Sequence, residues 1–237
     1  MMGSDALRTF ALGDIHGRLG ALTEVLTKCG ISDDDRLIIL GDVCDGGRKT
    51  KQCIDKLMTV KNTVLVVGNH DAWCLDWFLF GKHPRIWVDQ GGRNTMWSYD
   101  NDVGNVPEEH ITFLRNAKPY FIDEQNRIYV HGGFVHGVPI ERQRPYDIMW
   151  DRDLIMYARE HVVPGYNHVF VGHTSTQIVV THEDLINGID PMAPRTFHNL
   201  TMLDTGGGWS GKLTIMDVDT FEYWQSKRQV PNDDEGW

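Results

Sequence analysis

Residues 8–17 read Arg-Thr-Phe-Ala-Leu-Gly-Asp-Ile-His-Gly, a short apolar run that stops at a glycine and at once presents an aspartate and a histidine. Four more stretches repeat this plan. Arg36 to Leu40 runs into GDVCDGG, Thr63 to Val67 into GNHD, Ile128 to Val130 into HGG, and His168 to Val171 into GHT. Runs this short and this rich in Val and Ile read as strands buried on both faces. Segments of helical period lie between the first three, over Leu19 to Cys29 and Lys49 to Val60, and Asp71 to Phe80 reads as the next helix. That alternation predicts βαβαβ units and a parallel sheet.

Gly81 to Asn105 reads as loop-rich but carries its own tryptophans, which points to a cap rather than a linker. From Asn199 onward, NLTMLD, KLTIMDV and FEYWQ read as a meander of antiparallel strands. The expectation is an α/β (α+β) fold with two layers of mixed sheet in one domain over residues 1–230. A loop-rich cap insertion is expected at about 81–118, and a flexible acidic tail over 231–237.

The chain has 237 residues, of which 41% are apolar and 24% charged, an ordinary balance for a globular protein. No stretch approaches the ~18 apolar residues of a membrane helix, and the N-terminal residues lack the basic and apolar regions of a secretory signal. The four cysteines form no C-x-x-C pair, so reduced thiols and a cytoplasmic location are expected. A formal net charge of −10 disfavours a passive nucleic-acid binder, though bound cations can reverse a local field. No nucleic-acid or membrane partner is expected.

The strand ends carry the chemistry. Asp14 and His16, two apart on an extended segment, can reach one ion together with Asp42. Asp42 as a shared ligand, with Asn69, His131 and His173, can hold a second. Mixed oxygen and imidazole donors suit Mn²⁺, Fe or Zn²⁺ better than Ca²⁺, and two ions ~3.5–4 Å apart suit phosphoryl transfer. One histidine at a strand end is usually structural, and an aspartate beside a glycine is usually a turn residue. Five such corners in one chain argue jointly for a site. His83, His136, His182 and His198 match no ligand position.

The ordered set GDIHG, GDVCDGG, GNHD, HGG and GHT resembles the calcineurin-like metallophosphoesterases, and within them the phosphoprotein phosphatase branch that includes small phage and bacterial enzymes related to lambda phosphatase. QGGRNTMWSY, GVPIERQ followed by MWDRD, and LDTGGGWSGKLT extend the similarity from Thr9 to about Val218. The resemblance implies a central β-sandwich of mixed sheets flanked by helices, with the site at the sandwich edge. It implies two divalent metal ions, manganese first and iron or zinc as alternatives. Asp14, His16 and Asp42 would hold the first ion, and Asp42, Asn69, His131 and His173 the second. A bridging hydroxide would attack phosphorus directly, His70 would act as general acid, and Asp45 would orient His70.

The implied activity is that of a serine/threonine protein phosphatase, on a phosphorylated protein or a small phosphoester. Two departures matter. Gly46 and Val67 stand where the branch carries phosphate-gripping arginines, and Asp71 stands where it carries a glutamate. Arg152 in MWDRD and Arg48 after the glycine pair are the candidate substitutes, with Arg93 third. Diadenosine tetraphosphate hydrolases or phosphodiesterases are the alternative reading, although the former generally lack the aspartate found here as Asp45. A pseudophosphatase that only binds phosphate is the second alternative.

Overall fold

The computed structural model describes residues 7–229. Strands β1 (Thr9–Leu12), β2 (Arg36–Ile39) and β3 (Thr63–Leu65) pair in parallel, linked by helices α1 (Leu19–Cys29) and α2 (Thr50–Met58). Helix α3 (Asn69–Phe80) leaves β3. It is followed by α4 (Arg85–Trp87), a π-helical turn at Val88–Gly92, α5 (Arg93–Ser98) and α6 (Glu108–Arg115). Then come β4 (Tyr120–Ile122), β5 (Arg127–Val130), α7 (Pro145–Trp150), α8 (Asp153–Ala158), β6 (His168–Val171), α9 (Thr176–Val179), α10 (His182–Ile186), β7 (Arg195–Phe197), β8 (Leu200–Met202), β9 (Thr214–Asp217) and β10 (Tyr223–Gln225).

Two five-stranded sheets result, in the orders β10-β9-β1-β2-β3 and β4-β5-β6-β8-β7. Side-chain alternation explains how they stack. In β1, Phe10 and Leu12 face the layer of α1, α2 and α3, while Ala11 points the other way. In β5 and β6, Ile128, Val130, Val169 and Val171 face the layer of α7 and α8, while Tyr129 and Phe170 turn inward. Ala11, Ile38 and Leu40 meet Tyr129, Phe170 and Leu203 in the layer between the sheets. There Tyr129 and Phe170 stack with ring centroids 5.1 Å apart. The order of layers is helix, sheet, sheet, helix, an α/β architecture with mixed sheets.

Two expectations need correction. The C-terminal strands are not one meander: β9 and β10 form an antiparallel pair on β1, whereas β8 lies parallel to β6 in the other sheet. The segment expected to be loop-rich is largely helical. Its glycines and Gln90 kink the chain once, with Gly91 at φ +107°, and Trp87, Tyr99 and Leu114 anchor the helices in the core. The acidic tail lies outside the described residues. None of the four cysteines, all buried, is in a disulfide.

Candidate metal centre

The parallel strands β1, β2 and β3, and likewise β5, β6 and β8, end on the loops that carry the polar residues, as open α/β sheets collect their sites at strand carboxyl ends. The loops are tied to one another by backbone. Ile15 N and His16 N donate to Asp42 O at 3.0 and 2.9 Å. Asp71 accepts from Val43 N at 2.9 Å, Cys44 N at 3.3 Å and Gly68 N at 3.1 Å, and so staples the GDVC loop to the GNHD loop. His173 N donates to the Asp14 carboxylate at 3.0 and 3.2 Å. His16, Asp42, Asp45 and His173 all have positive φ, between 49° and 73°. Each costs on the order of 1 kcal/mol in an L-residue, and such strain gathers where side chains are aimed at a ligand. Gly68 is required by contact: a Cβ there would collide with the Asp42 carboxylate.

Asp42 is the centre of the cluster. Its Oδ2 lies 3.3 Å from His131 Nε2 and 3.6 Å from His16 Nε2. The far nitrogens of both rings are occupied: His131 Nδ1 lies 2.6 Å from Leu40 O and His16 Nδ1 lies 3.0 Å from Cys44 O. Each Nδ1–H donates to its carbonyl, so when the ring is neutral it is Nε2 that carries the lone pair, pointing inward, the usual arrangement of a metal-ligating histidine. Asn69 Oδ1 approaches the same His131 Nε2 at 3.1 Å. His173 Nε2 is buried without a hydrogen-bond partner. Donor atoms of Asp42, His131 and His173 lie within 4.8 Å of one another, and so do those of His16, Asp42 and His70.

The electrostatics agree with a cation site. Burial first, then the charges of Asp204 and Asp42, raise the Asp14 carboxyl well above the carboxylate range. Burial and the Asp42 charge push Asp71 up to about 6. Burial likewise pushes Asp204 up to about 6, against the hydrogen bond it accepts from Gly206 N. Asp42 is buried too, but the charges of His131 and His70 outweigh that and hold it ionised. His16 falls to about 4 and His173 to about 2, chiefly through burial. Asp14, Asp71 and Asp204, which resist ionisation, beside His16 and His173, which resist protonation, are what divalent cations relieve, while Asp42, against burial, raises His131. The donor set therefore fits metal ions.

His70 and Asp45 form a separate pair. His70 Nδ1 lies 2.6 Å from Asp45 Oδ2, and both residues are buried. Burial opposes the charged ring, but Asp42 and the bond to Asp45 push His70 up to about 9. Asp45 is itself held by the helical insertion, since Trp87 Nε1 donates to Oδ2 and Thr95 Oγ1 to Oδ1, each at 2.7 Å.

Of the arginines, Arg152 reaches the site edge, with Nη1 donating to Thr174 Oγ1 at 2.8 Å and lying 3.4 Å from His173 O. The Arg48 guanidinium sits over the Trp97 ring at 4.7 Å. Arg93 is exposed. Sequence reasoning missed Trp87, Thr95, Asp204 and the buried Arg18, whose Nη2 donates to Gly208 O at 3.2 Å. Asp204 follows β8 as Asp14 follows β1, so the same corner pattern could have found it.

A β-sandwich whose strand ends deliver aspartate, asparagine and histidine to one buried cluster defines a metal-dependent phosphoesterase. Residues 7–202 match the calcineurin-like phosphoesterase family, and the chain belongs to it. It is similar to serine/threonine-protein phosphatase 2 of Salmonella typhimurium, 25% identical over 92% of this chain and 96% of that one. It is also similar to the symmetrical bis(5'-nucleosyl)-tetraphosphatase of Neisseria meningitidis, 27% identical over 91% and 94%. Among solved structures it shares the fold of a metallophosphoesterase from Sphaerobacter thermophilus, with a TM-score of 0.59, 18% identity, and coverage of 94% and 90%.

Proposed function

We propose that this chain is a dinuclear phosphomonoesterase of the serine/threonine protein phosphatase type. Asp14, His16 and Asp42 would hold one cation, and Asp42, Asn69, His131 and His173 the other. Bound divalent ions, with Mn²⁺ the first choice, supply Lewis acidity and lower the pKa of a nucleophilic water. Around them the chain's own groups have separate tasks. His70, its Nδ1 fixed on Asp45, donates a proton from Nε2 to the departing alkoxide. Asp45 keeps the ring in the tautomer and orientation that this transfer needs. Arg152, beside His173, would meet a non-bridging phosphate oxygen.

The single observation that carries this reading is the buried 2.6 Å contact between His70 and Asp45 next to the metal-type cluster. An acid histidine fixed by a carboxylate suits a reaction in which a poor leaving group must be protonated. The test is release of phosphate from p-nitrophenyl phosphate and a phosphoserine peptide by Mn²⁺-loaded protein. Failure on both sinks the proposal.

Gly46 and Val67 favour a second reading, hydrolysis of a phosphodiester or dinucleoside polyphosphate, whose phosphates carry less charge per group to be gripped. Bis-p-nitrophenyl phosphate turned over no faster than the monoester counts against it. A cytoplasmic location is proposed from four buried cysteines outside any disulfide. Among the described residues no helix is long and apolar enough to cross a membrane.

A further inference from the structure

Outside the histidines the site is walled with aromatic rings. Trp73 follows His70 by three residues on α3, and its ring lies 5.3 Å from the His70 ring, at 87° to it. Trp150, at the end of α7, lies 5.6 Å from the His173 ring at 88°. The two indoles meet at 5.4 Å, so they span from the acid histidine to His173 without a break. Tyr146, one turn earlier on α7, continues the wall outward at 6.1 Å from Trp150. Trp209 lies on the His16 side, 6.3 Å from that ring.

Core packing accounts for Trp77 and Trp87, which are buried. It does not account for Tyr146, 64% exposed, or Trp209, 55% exposed, beside a site crowded with charge. Trp73 and Trp150 are half-buried, Trp73 partly against the core, and only Tyr146 of the three stands exposed, so the row presents ring faces and edges from the site out to solvent. The leaving group must depart on the side of the acid that protonates it. A phosphoester seated between His70 and His173 therefore carries its leaving group past Trp73 and Trp150.

We propose that Trp73, Trp150 and Tyr146 form a subsite for a planar aromatic ring carried by the leaving group of the phosphoester, either a nucleobase or a tyrosyl ring. The proposal rests on His70 being the general acid, and it narrows the phosphatase-type mechanism to esters whose leaving group carries a ring, which a seryl or threonyl side chain lacks. A ring stacked on such a surface gains roughly 5- to 100-fold in affinity, whatever its substituents, because every planar ring offers a π-face.

Binding of non-hydrolysable phosphonates tests this without turnover. Calorimetry on the Mn²⁺-loaded full chain compares benzylphosphonate with propylphosphonate. The expected result is a preference of about tenfold or more for the benzyl compound. Tyr146→Ala, at an exposed position, should cut that preference severalfold without changing propylphosphonate affinity or the melting temperature. Trp150→Leu should abolish it. Equal binding of the two phosphonates, no binding of either, or a parallel loss of both affinities in Tyr146→Ala overturns the proposal.

An adenosine 5'-phosphonate and a peptide bearing phosphonomethyl-phenylalanine then distinguish the two ring sources, the tighter ligand naming the source. Ring preference without turnover of p-nitrophenyl phosphate would sink the hydrolase reading and with it the leaving-group role, leaving only a ring-binding surface. Turnover without ring preference would do the reverse.

Discussion

The indole Nε1 of Trp87 donates to Asp45 Oδ2 at 2.7 Å, the same oxygen that faces His70 Nδ1 at 2.6 Å. Trp87 is fully buried, and the chain can bring its ring this close to the kink only because residue 92 is glycine, where a Cβ would penetrate the indole. Thr95 holds the other carboxylate oxygen at 2.7 Å and also accepts from Asp45 N at 2.9 Å. The helical insertion thus fixes the carboxylate that fixes the acid histidine.

Loss of either donor should therefore reach catalysis through Asp45. In Trp87→Phe and Thr95→Val a buried carboxylate oxygen loses one hydrogen bond, at a cost of about 1–3 kcal/mol. The expected outcome is a kcat lowered roughly tenfold with an almost unchanged metal content. Steady-state kinetics with metal analysis by mass spectrometry checks it. Lost metal would place Trp87 and Thr95 in support of the ligand loops instead.

Asp45→Asn and His131→Ala should fail in different ways. Among the described residues Asp45 meets the candidate ligands only through His70, so its amide variant should keep its metal content and lose on the order of 10²-fold in turnover, within the usual worth of general acid–base catalysis. His131 Nε2 faces both Asp42 and Asn69, so His131→Ala should lose metal first and activity with it. Identical metal contents in the two variants would contradict the assignment.

Much of the cluster is legible in the sequence because a buried strand, a glycine and a polar residue recur as one local unit. Asp14, Asp42, Asn69, His131 and His173 each stand at such a corner. What is not local is not legible. Asp204 stands at a sixth strand end, within reach of the same pattern, but reading NLTMLD as part of an antiparallel meander hides the parallel pairing of β8 with β6 that makes it a corner. Trp87 and Thr95 contact Asp45 across 42 and 50 residues, and nothing around them signals that reach. The insertion reads as loop because glycine, asparagine and aspartate punctuate it. Its helices are held by burial of Trp87, Tyr99 and Leu114 rather than by propensity.

Metal binding should also stabilise the fold. Asp14, Asp71 and Asp204 are buried with raised pKa values, so the metal-free cluster carries repulsion that cations remove. At a Mn²⁺ concentration 100 times the dissociation constant, linkage alone adds about 2.7 kcal/mol. For a chain of this length that corresponds to a melting temperature roughly 5–10 °C higher. Scanning calorimetry with Mn²⁺ and with a chelator measures it. Equal melting temperatures at saturating metal would argue against ions in this cluster.

Far from the site, Asp35 sets an acid limit on stability. Its carboxylate accepts from Arg8 Nη2 at 2.7 Å and from Ser32 N and Oγ at 2.8 Å. Burial opposes its charge, but these bonds win and lower its pKa to about 2. In the unfolded chain an aspartate titrates near ~3.9. Because the folded value is the lower one, the stabilisation is complete above the unfolded value and drains away as pH falls from about 5 through 2. Its size at neutral pH is on the order of 2 kcal/mol. Asp35→Asn should therefore be less stable than the wild type at pH 7 by about that amount, and the gap should narrow as both approach pH 2. Urea denaturation of chelator-treated protein across this range measures the gap, and a difference independent of pH would show that Asp35 acts through shape rather than charge.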